Sequence, residues 1–303
     1  MSIRPVASTQ QAQPTIEGAG VELHRAFGFH NPSEHDPFLL FDDFRNDDPA
    51  AYLKGFPWHP HRGIETITYV LSGSVDHADS LGNSGSLHSG DIQWMTSGSG
   101  ILHQEMPKGN AQGQMHGFQL WANLPHDLKM TDPRYQDVSA TEIPLIEEDD
   151  GTRIKVIVGS FWGKTGPVDG IAADPQYLDI YVPPGVKKTF PVDTYRKAFA
   201  YVFEGAGAFD YASDPRGVLT EKEVMGQEVN IRDQSGNRTL VNFGTGDSVT
   251  VQAGEQGLRF LLISGKPIQE PVAWHGPIVM NTRAELKQAF DELQNGTFIK
   301  PAH

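Results

Sequence analysis

None of the 303 residues is a cysteine. That excludes disulfides, thiolate metal ligands and a cysteine nucleophile, and it accords with a reducing compartment. Long apolar runs are also missing. Stretches such as Phe260 to Ile263 fall far short of the ~20 apolar residues that a membrane-spanning helix needs. The amino-terminal segment, Met1 to Gln13, has one Arg and no continuous apolar stretch, so it does not read as a secretory signal. Basic clusters are absent and the net charge is -14. Phosphate contacts need clustered Lys and Arg, so direct nucleic-acid binding is excluded. A soluble cytoplasmic protein with no membrane association is the expectation.

Helical periodicity is scarce too. One helix is expected near the carboxyl terminus, where Thr282 and Glu285 form a capping box and Leu286, Ala289, Phe290 and Leu293 an apolar stripe. Asn295-Gly296 supplies its stop. Elsewhere, short β-rich runs recur: Ile64 to Leu71, Gly117 to Ala122, Ile154 to Val158, Tyr177 to Val182, Ala198 to Phe203 and Leu258 to Ile263. Gly, Asn, Asp and Pro punctuate them, which predicts an all-β protein of the sandwich or barrel kind.

An internal repeat divides the chain. Glu65-Thr-Ile-Thr-Tyr69-Val70-Leu-Ser-Gly73 resembles Lys197-Ala-Phe-Ala-Tyr201-Val202-Phe-Glu-Gly205, and Gly90-Asp91 followed by Gly98 resembles Gly246-Asp247 followed by Gly254. Two similar barrels are therefore expected in tandem, over 1–140 and 141–303, the second ending in the helix. The acidic run Glu147 to Asp150 reads as a solvated turn between them.

Four residues in the first copy carry the chemistry. His59 and His61 form one X-any-X pair and His103 and Glu105 another, each within a strand-like segment. Side chains two apart in a strand share a face, so two such pairs on neighbouring strands could bring three imidazoles and a carboxylate together. This set binds a first-row transition metal and suits Fe, Mn, Ni, Cu or Zn. Pro60, which lacks an N–H, fits a strand edge or bulge near a barrel mouth. The repeat sets Pro191 and Asp193 against His59 and His61, and Arg259 and Leu261 against His103 and Glu105. One metal per chain, in the first barrel, is the expectation. Glu65 is a rival carboxylate and reads as an outer-shell acid that orients an imidazole. His77 and His116 lack a partner two residues away and read as polar or wall residues. Gly159 to Thr165 imitates a phosphate-binding loop, but it is one residue short between its glycines, and Gly166-Pro167 stand where a helix should begin.

These blocks carry a family resemblance. His59-Pro-His61-Arg-Gly-Ile-Glu65, His77-Ala-Asp79-Ser80-Leu-Gly82-Asn83, and Gly90-Asp91-Ile-Gln93-Trp94-Met95-Thr96 running to His103-Gln-Glu105-Met106-Pro107 resemble the signature of the pirins, double-barrel members of the cupin superfamily. The resemblance implies His59, His61, His103 and Glu105 as ligands of one divalent metal, iron(II). It implies either of two activities. One is a quercetin 2,3-dioxygenase-like oxidoreductase acting on a flavonol-like aromatic substrate with O₂. The other is a metal- or redox-sensing co-regulator acting through a protein partner. In the first, Glu105 would also be the base that accepts the substrate hydroxyl proton.

Overall fold

The computed structural model describes residues 2–209, 221–224, 227–230 and 234–300. Strands dominate, and none of the helices among the described residues is long and apolar enough to cross a membrane. Two compact units emerge, Gln13–Glu142 with Ile268–His303, and Met1–Ala12 with Ile143–Pro267. The expected halves, 1–140 and 141–303, meet close to this change at Glu142, but each chain end lies with the other half's barrel. Strand pairing explains the amino-terminal exchange: Val6–Gln11 completes an edge against Thr239–Phe243, satisfying backbone groups that an open edge would leave bare.

The unit that contains the histidine motifs is built from two antiparallel sheets. The larger runs in the order Arg134–Val138, Ile92–Thr96, Ile64–Ser72, His116–Asn123, Phe38–Asp43, Val21–Phe27, Gln13–Glu17. The smaller runs Phe56–His61, Ile101–Lys108, Ser74–Asp79, Ser84–Leu87. Ile64–Ser72 is rich in β-branched and aromatic residues and is buried on both faces over most of its length, which is why its apolar run barely alternates. Its entry needs glycine. Gly63 has φ +76°, and a Cβ there would sit 2.0 Å from the Val279 carbonyl oxygen.

The carboxyl-terminal segment belongs to this same unit. Its helix spans Arg283–Gln294 with both halves of the expected capping box formed. Ala289 packs with Ile278, Met280 and Phe298. The expectation had attached this helix to the second barrel.

The other unit is a nine-stranded antiparallel sheet system organised on two long strands, Lys197–Phe209 and Ser248–Gly265. Register shifts at Val202/Glu204 and Gly205/Gly207 let these long strands bend. Its core is apolar: Phe190 and Phe209 both meet Phe260 edge-on, at 6.0 and 5.5 Å between ring centres. The residues matched to the histidine motifs do other work there. Arg259 forks onto Asp179 at 3.0 and 2.7 Å, Leu261 is buried, and Pro191 and Asp193 are exposed. The acidic run lies inside this unit as the turn joining Leu145–Glu147 to Arg153–Val158, where Lys188 pairs with Glu148 and Asp150. The phosphate-loop imitation is a tight hairpin between Ser160–Phe161 and Lys164–Thr165.

Candidate metal centre

The edge strand Phe56–His61 pairs with Ile101–Lys108, and the register sets His59 directly opposite His103. Opposed residues share a face, and so do residues two apart, so His59, His61 and His103 point into one space. Their ring centres lie 4.4 to 5.0 Å apart. One ligand nitrogen from each ring falls within 4.8 Å of the others, and among the described residues this is the one such group of three. His61 and His103 are almost fully buried, while His59 is half-buried.

Hydrogen bonding fixes which nitrogens are free. His59 Nδ1 lies 2.8 Å from the Pro57 carbonyl oxygen, and His61 Nδ1 lies 3.2 Å from that of Pro277. A carbonyl only accepts, so this geometry assigns each proton to Nδ1 and leaves a lone pair on Nε2. The two Nε2 atoms then face each other at 3.1 Å, acceptor to acceptor. A metal ion bound to both nitrogens relieves that opposition, as does a proton shared between them. Both ring nitrogens of buried His103 also lack a hydrogen-bond partner. Burial first, and then the neighbouring imidazoles, hold His61 and His103 well below the usual histidine range, so both are neutral and able to ligate. The donor set fits a transition metal.

Glu105 projects from the same strand as His103 but stands outside the three-nitrogen group. A bulge between His103 and Glu105 shifts the register against Phe56–His61 and sets Glu105 opposite Phe56. The Glu105 carboxylate is buried, with Oε1 3.0 Å from the Thr68 hydroxyl and Oε2 accepting from Gln119 Nε2 at 3.3 Å. Thr68 also lies 2.8 Å from Gln119 Oε1, and its single proton serves one acceptor at a time. Thr68 and Gln119 escaped the sequence reading, although both are polar residues inside strand-like runs.

Glu65 lies elsewhere. It is an odd number of residues from Thr68, so strand alternation turns it to the opposite face. There its Oε1 accepts from Thr96 at 2.8 Å, and burial pushes its carboxyl up to about 7. His77 sits 3.3 Å from Asp137 Oδ2, and His116 lies 3.6 Å from Asp43 Oδ1.

A cavity of about 430 Å³ opens beside the histidines. His59, His61, Glu105, Thr68 and Gln119 form a polar region, and Phe29, Phe44, Phe56, Trp58 and Trp121 contribute ring surface. Trp121 meets the His61 ring edge-on at 5.0 Å. This combination of an apolar enclosure and a few convergent polar groups is that of a small-molecule site.

Residues 20–122 match the family Pirin, and residues 177–299 match the Pirin C-terminal cupin domain. A pirin-like protein of Caulobacter vibrioides is 44% identical over 301 residues, covering 98% of this chain and 100% of its own. A Pseudomonas aeruginosa protein named as a candidate quercetin 2,3-dioxygenase is 36% identical, with 97% of each chain covered. The crystal structure of a quercetin 2,3-dioxygenase from Acinetobacter baumannii superposes with a TM-score of 0.84 at 28% identity, covering 98% of this chain and 99% of that one. Two tandem cupin domains, matched in order and supported by relatives along nearly the whole length, place this chain in the pirin family.

Proposed function

We propose that this chain is a metal-dependent dioxygenase that opens the ring of quercetin or a related flavonol with O₂, with His59, His61, His103 and Glu105 as ligands of one divalent metal, iron(II). The carrying observation is the acceptor-to-acceptor approach of His59 Nε2 and His61 Nε2 at 3.1 Å beside an aromatic-walled cavity. When bound, the metal supplies a Lewis-acid and redox centre for a chelating hydroxy-ketone and for O₂. The chain supplies the rest. Ring surfaces of Phe29, Phe56 and Trp121 provide walls for a flat aromatic molecule and exclude water from it. Glu105 accepts the substrate hydroxyl proton on a carboxylate oxygen, and the Thr68 and Gln119 donors fix that carboxylate in place.

The test is ¹⁸O₂ incorporation. Iron-loaded protein should consume the flavonol absorbance band and place label in the ring-opened product. Glu105→Asp, which keeps the charge but shortens its reach, should bind flavonol and turn it over as much as about 10²-fold more slowly. Iron-loaded wild-type protein that binds flavonol yet incorporates no label would rule out the dioxygenase and favour a metal-sensing role.

A further inference from the structure

The stretch of cavity wall formed by Glu17, Arg25 and Asp42 has its own electrostatics. Arg25 on Val21–Phe27 and Asp42 on Phe38–Asp43 are direct cross-strand partners, and Asp42 in turn faces Gln119 on His116–Asn123. All three therefore project to the same face as Thr68, the cross-strand partner of Gln119. Arg25 is the one Lys or Arg among the cavity-lining residues, and its guanidinium is already engaged. Nε and Nη2 donate to the two oxygens of Asp42 at 2.8 and 2.7 Å, and Nη1 donates to Glu17 at 2.7 Å. The Phe29 ring lies 5.0 Å from its central carbon. Three of its five N–H donors, one on each nitrogen, serve carboxylates, and its charge is compensated by two protein anions. With Glu17, Asp42 and Glu105 against Arg25, acidic groups outnumber the cation on these walls.

We propose that Glu17, Arg25 and Asp42 act as a charge filter for the cavity. It admits flat aromatic ligands that are uncharged away from their metal-chelating oxygens, and it refuses those carrying a sulfonate, carboxylate or glucuronate at the remote end. This inference rests on the aromatic-ligand reading of the cavity given above. The physical cause is twofold: a remote anion meets like charge, and the one cation able to compensate it is bound to protein carboxylates.

The experiment is an anaerobic binding titration of metal-loaded protein with quercetin and with a sulfonated quercetin, read by quenching of tryptophan fluorescence, since Trp58 and Trp121 line the cavity. Wild-type protein should favour quercetin by about tenfold or more, the scale expected of a like-charge penalty. Asp42→Asn keeps the side chain's shape and frees the Arg25 fork, so the sulfonate should bind about tenfold more tightly than to wild type. Glu17→Gln should move the same way by less, because Glu17 is the more exposed partner. A gain of binding has no origin in misfolding. Equal affinity of wild type for the two ligands, or unchanged sulfonate affinity in both variants, overturns the filter and leaves the aromatic site standing. Binding of neither ligand, with or without metal, removes the aromatic-ligand reading and the filter with it.

Discussion

Two buried glutamates within one barrel show how environment separates roles. Glu105 accepts from Thr68 and Gln119 on the face shared with the histidines, whereas Glu65 is turned away and held by Thr96. Glu105→Gln should therefore lose most of its metal in chelator competition, and Glu65→Gln should retain it. Glu65 has a second consequence. Its carboxyl is raised from 4.5 to about 7, chiefly by burial, so between those values the folded state holds a proton that the unfolded state has released. Stability contributed by this group is thus complete below pH 4.5 and declines as pH rises through about 7, by an amount on the order of a few kcal/mol. Glu65→Gln keeps the acceptor for Thr96 without the ionisation. Its thermal midpoint should exceed that of wild type above pH 7 and match it below pH 4.5. A midpoint lowered equally at both pH values would show that Glu65 carries no such ionisation penalty. Period-two alternation made the common face of His59 and His61 legible, while the arrival of His103 beside them depends on strand register. Glu105 was less legible, because a bulge changes register without leaving a sequence mark.

At the scale of elements, the ligand strands are tied to the carboxyl-terminal segment through Arg62. Its guanidinium is buried beneath the Phe298 ring, which lies 4.2 Å away. Nε donates to Ser99 O at 2.6 Å, Nη1 to Glu292 at 2.7 Å and Nη2 to Phe298 O at 2.8 Å. Ser99 precedes the strand that bears His103, and Arg62 directly follows His61. One side chain thus joins both ligand strands to the helix. The Arg62 carbonyl accepts from Val279 N–H at 3.1 Å, which keeps the Pro277 carbonyl near His61 Nδ1. Groups that orient a metal-bound imidazole typically change metal affinity by about 10- to 100-fold when lost. Glu292→Ala should weaken cobalt(II) binding by that order and shift the cobalt absorption bands, because the His61 ring is less firmly held. Lys287→Ala, which removes an exposed helix pair with Asp291, should change neither. Unaltered cobalt affinity and spectrum in Glu292→Ala would reduce the Arg62 cluster to a fold-stabilising role. The capping box of this helix could be read from Thr282 and Glu285 because capping is local. Its docking partner could not, since Arg62 and Glu292 lie 230 positions apart and no periodicity links them.

For the whole molecule, the repeat was legible as two sets of similar strand and turn blocks, and the replacement of three histidines and a glutamate by Pro191, Asp193, Arg259 and Leu261 indicated one metal site. The exchange of chain ends was not legible, because an edge strand such as Val6–Gln11 carries no mark of which sheet it will join. Metal binding should reveal this exchange directly. A ligand that binds only folded protein stabilises it by RT ln(1 + [L]/Kd), about 2.7 kcal/mol at a hundredfold excess over Kd. That stabilisation acts first on the unit containing the ligands, which comprises Gln13–Glu142 and Ile268–His303. Loading one equivalent should therefore slow amide hydrogen exchange in peptides from the histidine strands and also in those from Ile278–Met280 and Arg283–Gln294, more than a hundred residues further along the chain. Peptides from Phe190, Leu178 and Phe260, in the core of the other unit, should exchange at the same rate with and without metal. A second equivalent that survives dialysis, or protection strongest within Ile143–Pro267, would place a metal where this chain has Arg259, bound to Asp179, at the position that matches His103.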